Sequence, residues 1–295
     1  EDKIMIVLNT RDSAKKVYEN LKDVAKDREV YFLSSYVIPC ERLNRVGQIK
    51  NLKRALLITT QCIEAGVDID MDYVIRDFGP LDSIIQVAGR CNREGEKTMG
   101  TVEIVRLYDP DARSNFCPSG EFNAMVYDPI ALDATTNIFG ESEEILENQI
   151  FNLAEKYFNE LKRKDLGNNR TECLLDFSHK YLKNGKQHDF DIKAELRGEL
   201  KQYNLIVDKD GQLKEEIEKL YIEHDEKKID RWELRLRLKK LYNKIAMSSI
   251  SINAYKFDLS DIADKGKGDF YFLKLEYYDD EIGFNFSTPV GAIII

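Results

Sequence analysis

The chain has 295 residues, of which 43% are hydrophobic and 33% are charged, and its formal net charge at pH 7 is −9. This length is sufficient for two domains with buried cores, and no apolar run is long enough to cross a membrane as a helix. The acidic balance argues against a strongly basic nucleic-acid binder, but it leaves room for weak, salt-sensitive binding through a local track.

The first hundred residues alternate apolar runs with amphipathic stretches. Residues 3–10 contain a continuous apolar run at 4–8 and end in polar turn residues, as in a buried parallel strand, and residues 11–26 place apolar side chains at helical spacing. The same patterns predict further strands at 30–33, 54–60, 73–77 and 101–108, and helices at 39–53 and 83–91. Strands that alternate with helices indicate a doubly wound parallel sheet.

Beyond residue 110 the pattern changes. Residues 110–140 contain several prolines and glycines and are predicted to be rich in loops, whereas residues 141–164 read as one amphipathic helix with a basic end. A charged helical stretch is predicted over residues 212–245. Short strands are predicted at 205–207, 250–252, 270–275 and 282–284, the last two forming a hairpin that turns at 279–280.

The motif that decides the functional interpretation is Q-x-x-G-R-x-x-R over residues 86–93. If Gly89 lies in the first turn of a helix, Gln86, Arg90 and Arg93 project from one face. The planar guanidinium stays charged and binds phosphate oxygens in bidentate fashion. Such a face can meet a polyphosphate; the structural alternative is a solvated Arg/Gln helix face.

Residues 55–95 resemble motifs V and VI of superfamily 2 helicases. The sequences E-A-G-V-D-I-D over residues 64–70 and I-R-D-F-G-P-L-D-S-I-I-Q-V-A-G-R-C-N-R over residues 75–93 narrow the resemblance to the CRISPR-associated helicase-nuclease of type I systems. The similarity is strong over residues 1–110 and faint beyond. Val87 stands where the family often has a basic residue, and Glu94 where it often has histidine, but neither change touches the predicted phosphate-facing set.

This resemblance implies the domain organisation. Residues 1–112 are expected to form the second RecA-like helicase domain, residues 113–166 a loop-rich segment and linker helix, and residues 167–295 a C-terminal accessory domain. The predicted fold class is therefore α/β, a RecA-like parallel sheet with flanking helices, followed by the linker helix and a smaller α+β domain.

In the helicase family, ATP binds between two RecA-like domains, and the second supplies groups that sense the γ-phosphate. The resemblance implies that Arg93 is the arginine finger and that Arg90 and Gln86 also contact the phosphates. The remaining nucleotide-binding positions that it implies are Gly66, Asp68 and Gly89. Gly66 allows a backbone conformation closed to other residues, and Asp68 can orient a polar partner or the ribose, although it could instead cap a helix or turn. Glu64 matches the family too, without a clear role.

Four family-matched positions are predicted to contact a single DNA strand: Asn9, Thr10, Ser35 and Thr60. Short hydroxyl and amide side chains at strand ends can bind phosphates without reading bases, and the alternative for each is turn or cap chemistry. Tyr36 replaces the arginine of the family's usual L-H-S-R, and Arg42 is the basic residue expected to compensate for it.

Several motifs are missing from the sequence. It contains neither G-x-x-x-x-G-K-[ST] nor a D-E-x-H box, so the chain is expected to be the carboxy-terminal part of a larger protein or one subunit of a split one. ATP with Mg²⁺ would be held mainly by a domain absent from this chain. The dipeptides His188-Asp189 and His224-Asp225 are not expected to form a metal site. Five widely spaced cysteines fit buried thiols in a reducing cytoplasm.

The function that the resemblance implies is ATP-dependent translocation of single-stranded DNA in CRISPR type I interference. The expected partners are the first RecA-like domain, an HD nuclease domain and the crRNA-guided surveillance complex, with no membrane. The isolated chain is expected to be inactive. Two alternatives stay open: a non-catalytic binding module that docks a partner chain or inhibitor, and a superfamily 2 helicase outside defence.

Overall fold

The computed structural model describes residues 3–64, 66–95, 97–108, 121, 123, 126–140, 142–164, 180–183, 186–189, 202–254 and 257–286.

The first sheet of the protein has five strands. The strands β1 (Lys3–Val7), β2 (Glu29–Leu33), β3 (Ala55–Thr59), β4 (Tyr73–Asp77) and β5 (Thr101–Val105) lie in the order β2-β3-β1-β4-β5. In the centre, Met5 of β1 pairs in parallel with Leu57 of β3 and Val74 of β4. This confirms the predicted α/β class, a RecA-like parallel sheet with flanking helices.

Helices follow three of these strands: α1 (Arg11–Leu21), α2 (Pro39–Asn51) and α3 (Leu81–Ala88). All three end before the predicted residue, because α1 does not reach residue 26, α2 does not reach residue 53 and α3 does not reach residue 91. The end of α3 has a visible cause: Met71 N donates to Arg90 O at 2.9 Å, and Asn92 N donates to Met71 O at 2.8 Å. These backbone bonds hold Cys91 in a parallel bridge to Met71 rather than in a further helical turn.

The prediction of a loop-rich passage over residues 110–140 is wrong for its second half, which contains α4 (Pro129–Phe139). Proline suits the first turn of a helix, where its missing N–H has no intrahelical acceptor, and Asp128 caps this helix by accepting from Ile130 N at 2.7 Å. The predicted linker helix is α5 (Glu147–Arg163). Its Tyr157 is buried and donates to Asp82 at 3.1 Å.

The carboxy-terminal part contains a hairpin, β6 (Lys180–Lys183) with β7 (Lys186–Asp189), and a four-stranded sheet. The sheet has the order β10-β11-β8-β9, from β8 (Gln202–Ile206), β9 (Ser249–Asn253), β10 (Ala263–Lys265) and β11 (Tyr271–Leu273). Three helices accompany it: α6 (Gln212–Asp225), α7 (Arg231–Met247) and α8 (Leu259–Ile262). The predicted hairpin near residue 280 is present as β12 (Tyr278–Asp279) and β13 (Gly283–Phe284).

The single charged helix predicted over residues 212–245 is two helices. Lys227, between α6 and α7, has a φ of 58°, which no continuing α-helix accommodates. Asp230 then starts α7 as its cap, since its carboxylate accepts from Glu233 N at 2.7 Å. A break of only a few residues therefore divides a pattern that looks continuous in charge and hydrophobicity.

The chain divides into two compact units that are interleaved in sequence. One comprises residues 1–76, 89–103 and 202–295, and the other residues 77–88 and 104–201. The three domain ranges expected from the sequence, 1–112, 113–166 and 167–295, stay a prediction. Among the described residues, no helix combines the length and apolarity needed to cross a membrane.

Within the first unit, the carboxy-terminal segment 279–286 is joined to the loop after β2. Phe284 N donates to Tyr36 O at 3.0 Å. Gly283 has a φ of 77°, and a Cβ atom at this position would lie only 2.2 Å from the same Tyr36 carbonyl oxygen. Arg45 donates to Phe32 O at 2.5 Å and to Glu281 O at 2.6 Å. A residue other than glycine at position 283 would thus be excluded by both conformation and space.

A buried phenol joins the same segment, 279–286, to α1 and generates a pH prediction. Tyr18 of α1 is 5% exposed and donates to Glu281 Oε2 at 3.2 Å. Burial first, and then the charge of Glu281, raises the pKa of Tyr18 to about 12 from its ordinary value of 10.0. The folded state therefore favours the neutral phenol, and its contribution to stability is complete below pH 10 and lost as the pH rises from 10 to about 12.

Accordingly, Tyr18→Phe is expected to reduce the loss of unfolding free energy between pH 10 and 12, measured by urea denaturation at a series of pH values. The exposed Tyr242 of α7 provides the control, because Tyr242→Phe should leave the alkaline profile of the wild type unchanged. An identical pH profile for Tyr18→Phe and wild type would contradict this assignment.

Candidate nucleotide-phosphate site

The site is built around Arg76 of β4, whose side chain has no exposed surface. Its Nη1 donates to Asn9 Oδ1 at 2.7 Å, and its Nη2 lies 3.4 Å from Glu64 Oε1. A buried guanidinium is strongly unfavourable unless it is paired and hydrogen-bonded. Arg76 therefore requires both acceptors. Through them it connects β4 with Asn9, which follows β1, and with Glu64, the first residue of the E-A-G-V-D-I-D sequence.

Arg90 is anchored on the same segment. Its Nη2 donates to Glu64 O at 2.8 Å and its Nε to Ile63 O at 3.4 Å, and the side chain is half-buried. Glu64 thus receives Arg76 on its carboxylate and Arg90 on its carbonyl oxygen. This gives Glu64 the role that the sequence did not reveal. The available signal for Arg76 was a charged residue inside a predicted buried strand, which sequence reasoning did not use.

Arg93, by contrast, is held at the surface. Its Nη1 lies 2.7 Å from Asp68 Oδ1, with 41% of its own side chain and 70% of the Asp68 side chain exposed. The backbone N of Arg93 also donates to Asp70 Oδ1 at 2.7 Å. Lys50 Nζ lies 2.5 Å from the second oxygen of Asp68. Because exposed ion pairs are weak and compete with water, Arg93 can leave Asp68 for a stronger anion at little cost.

Two neighbouring cations stabilise the charged form of the Asp68 carboxylate. The hydrogen bond and charge of Lys50, followed by the charge of Arg93, hold its pKa below the ordinary 3.8. Gly66 precedes it with a φ of 73° and no atoms crowding its missing side chain. The glycine is therefore required by conformation rather than by space, as the sequence suggested.

The structure corrects the idea that Gln86, Arg90 and Arg93 share one helix face. Gly89 follows the last residue of α3 instead of lying in a first turn, and Asn92 has a φ of 48°, so both arginines belong to the turn and bridge beyond the helix. Gln86 is an exposed residue of α3. The roles assigned to all three, and to Gly89, stay predictions.

The four positions predicted to contact a DNA strand have different surroundings. Asn9 is 3% exposed and holds Arg76, while its carbonyl oxygen accepts from Gln61 Nε2 at 2.7 Å. Thr10 caps α1 by accepting from Ser13 N at 3.0 Å, which is the cap chemistry weighed as the alternative. Thr60 is buried and Ser35 is exposed. Their strand contacts stay predictions, with Ser35 the most accessible of the four.

The donor set suits phosphate oxygens rather than a metal ion. Within the described ranges, no group of three or more His, Cys, Asp or Glu residues is placed to hold a metal. The site instead provides three cations, which are attractive to phosphate oxygens. Lys50 and Arg93 both pair with the Asp68 carboxylate, and Arg90 donates to Glu64 O.

The residues of the candidate site lie in a segment that matches a known protein family. Residues 1–96 match the family model described as CRISPR-associated nuclease/helicase Cas3, C-terminal. Residues 1–96 are therefore similar to the C-terminal domain of this family. The Cas3 of Haloferax volcanii is 35% identical over 135 residues, which are 41% of this chain and 14% of that protein. The chain therefore spans only a small part of the Cas3 relatives that it matches.

Solved Cas3 structures are similar to the chain at low identity. A crystal structure of T. fusca Cas3-AMPPNP is 19% identical with a TM-score of 0.45, covering 59% of this chain and 22% of the other. A chain in a structure described as a CRISPR RNA-guided surveillance complex, pre-nicking, is 20% identical with a TM-score of 0.42, covering 60% and 24%.

The pairing of Glu64 with Arg76 predicts a stability effect. Glu64→Ala is expected to lower the free energy of unfolding by about 2–4 kcal/mol, because it removes a charged partner from a buried guanidinium. The measurement is urea denaturation, monitored by circular dichroism. Glu94→Ala removes an exposed carboxylate of the same region and should change stability by less than about 0.5 kcal/mol. Equal, small effects of the two substitutions would show that Arg76 does not depend on Glu64.

The exposed triad Lys50–Asp68–Arg93 predicts an ordered set of titrations. In carbon-13 NMR, the pKa of the Asp68 carboxyl should rise towards its ordinary value in Lys50→Ala and rise less in Arg93→Ala, following the order of its two causes. Lys53→Ala, at an exposed lysine nearby in sequence, should leave it unchanged. A larger rise in Arg93→Ala than in Lys50→Ala would mean that Arg93 is bound to Asp68 more tightly than an exposed pair allows.

Proposed function

We propose that this chain is the carboxy-terminal half of an ATP-dependent single-stranded DNA helicase of CRISPR type I interference. It supplies motifs IV to VI, including the arginine finger Arg93, and is inactive without the first RecA-like domain, with which it encloses ATP and Mg²⁺. In the complete assembly it works with an HD nuclease domain and is recruited by the crRNA-guided surveillance complex in the cytoplasm. The match of residues 1–96 to the Cas3 C-terminal family model supports this proposal.

The observation that carries the proposal is the contrast between the two arginines. Arg90 is fixed by two backbone carbonyl oxygens, whereas Arg93 is exposed and paired with an exposed carboxylate. A finger must be positioned before the reaction and yet available to an incoming phosphate. Arg93 meets both conditions, because its backbone is held by Asp70 and its guanidinium only by Asp68.

In the reaction, these residues act by position and charge. ATP with Mg²⁺ supplies the phosphoryl group that is transferred to water. Arg93 exchanges Asp68 for the phosphoryl oxygens, on which negative charge accumulates in the transition state, while Lys50 keeps the released Asp68 carboxylate neutralised. Arg90 stays on Glu64 O and keeps the loop of Gly66 and Asp68 in its conformation. With Gln86 it makes the further phosphate contacts that the resemblance implies.

For the strand, the proposal assigns phosphate contacts to hydroxyl groups at the carboxyl ends of β1, β2 and β3, where parallel sheets bind their ligands. Ser35 and Thr10 lie at two of these ends, with Thr60 at the third. Contacts to phosphates carry no base information. Such a surface suits a motor that must step along any sequence.

The test is DNA-stimulated ATP hydrolysis by this chain combined with the first RecA-like domain. Arg93→Ala is expected to lower the turnover number by a factor of about 10³ to 10⁵, the range observed for arginine fingers, with an unchanged thermal unfolding midpoint. Arg235→Ala removes an exposed arginine of α7 and should retain wild-type turnover. Full turnover in Arg93→Ala would overturn the assignment of the finger, and absence of any hydrolysis by the combined wild-type domains would overturn the proposed function.

A further inference from the structure

The first unit contains a cleft that the nucleotide site does not use. It has a volume of about 220 Å³ and lies where α1 and the loop after β2 meet the carboxy-terminal segment. Its lining is basic and aromatic, and the residues that matter are Arg11, Lys15, Tyr36, Phe257, Phe284 and Phe286. This volume is below the range of pockets that enclose a complete small ligand. A cleft of this size is suited to one unit of a longer polymer.

Arg11 provides the cationic side of the cleft. Its guanidinium carbon lies 3.9 Å from the centroid of the Tyr36 ring, and its Nη1 donates to Ser35 Oγ at 3.4 Å. Stacking on an aromatic face orients a guanidinium while leaving its edge N–H groups available to an anion. Arg11 also begins α1, whose amino-terminal end favours negative charge. Arg11 thus brings a positive charge to Tyr36, and the compensating role expected of Arg42 stays a prediction.

Among the residues that line the cleft, two cations face one carboxylate, that of Asp12. Lys15 donates to Asn285 Oδ1 at 2.7 Å and lies 3.8 Å from Glu19, which is outside the lining and offsets the charge of Lys15. Arg11 is therefore the principal contact that the cleft offers to an anionic ligand.

The opposite side consists of packed aromatic rings. The centroid of Phe257 lies 5.3 Å from that of Phe284 and 5.0 Å from that of Phe286, and Tyr277 stacks on Phe286 at 5.4 Å. Phe286 is still 38% exposed. Large apolar rings are usually covered, and an exposed ring supported by its neighbours forms a stacking platform for a planar group.

We propose that this cleft binds one nucleotide of single-stranded DNA, with the base stacked against Phe286 and Phe257 and a backbone phosphate on Arg11. The inference rests on the proposed function, since a translocating strand would bring a chain of bases and phosphates past Ser35. A planar apolar group beside an anion is the composition of a nucleotide, and the cleft offers an aromatic wall beside a cation. Ser35, which Arg11 contacts, makes the cleft continuous with the predicted strand contacts.

The test measures binding of fluorescein-labelled oligo(dT), and of an abasic strand of equal length, to the complete chain by fluorescence anisotropy at several salt concentrations. Phe286→Ala is expected to weaken oligo(dT) binding on the order of 5- to 100-fold, the measured range for loss of one stacked base, and to leave binding of the abasic strand unchanged. Arg11→Ala should weaken both strands and reduce the slope of log affinity against log salt by about 0.7, as for one phosphate contact.

Matched controls separate the cleft from general effects. Lys16→Ala removes an exposed lysine of α1 outside the cleft lining, and Phe151→Ala removes an exposed ring of α5; both should bind oligo(dT) as the wild type does. Phe286→Leu keeps the apolar volume without the ring and should bind with intermediate affinity. Circular dichroism melting of each variant verifies that it is folded.

The outcomes distinguish this inference from the proposed function. Wild-type binding of oligo(dT) with no effect of Arg11→Ala or Phe286→Ala would overturn the cleft assignment and leave the arginine finger untouched. Equal weakening of both strands by Phe286→Ala would overturn base stacking. Tighter binding of oligo(U) than of oligo(dT) would overturn DNA as the ligand. Arg93→Ala should leave oligo(dT) binding intact, so a loss of hydrolysis with normal DNA affinity assigns the two sites separate roles.

Discussion

The site depends on a guanidinium that has no contact with solvent. Arg76 lies inside β4, and a buried charge of this kind is tolerated only when acceptors surround it. Asn9 at the end of β1 and Glu64 after β3 are drawn together by that requirement. The carbonyl oxygen of Glu64 accepts from Arg90. The pairing of Arg76 with Glu64 therefore also determines where Arg90 is held. Arg93 is excluded from this network and remains at the surface with Asp68.

A second constraint joins the ends of the chain. Gly283, Arg45 and Tyr18 hold segment 279–286 against the first sheet within one compact unit. This arrangement brings Phe284 next to Tyr36, and the aromatic and basic cleft, which Phe286 also lines, is its result. A contact between residues more than two hundred positions apart therefore creates a surface that neither segment has alone.

Much of the fold could be predicted from the sequence because its signals are local. The buried strand of residues 73–77 was predicted with its observed bounds, and the α/β alternation followed from periodicity. The end of α3 could not be predicted, since it depends on backbone bonds to Met71, about twenty residues earlier in the chain. The start of α4 at Pro129 was hidden by the proline and glycine content around it, and the break at Lys227 by the uniform charge of its surroundings.

For the candidate site, the motif identified the residues but not their arrangement. The spacing of Gln86, Arg90 and Arg93 suggests a shared helix face, but the chain leaves the helix before either arginine. Arg76 and Glu64 were visible as residue types, and their pairing needed the sheet to bring β1 and β4 side by side. Likewise, Arg42 is near Tyr36 in sequence, and Arg11 is near it in space.

The proposed mechanism requires that Arg93 change its partner while Arg90 keeps its own. A structure of this chain combined with the first RecA-like domain and a non-hydrolysable ATP analogue would show whether this exchange occurs. We expect Arg93 Nη atoms within about 3 Å of γ-phosphate oxygens, with Asp68 left to Lys50 and Arg90 still on Glu64 O. If Arg93 remained on Asp68 while the nucleotide was bound, or if Arg90 left Glu64 to take its place, the proposed exchange would be wrong.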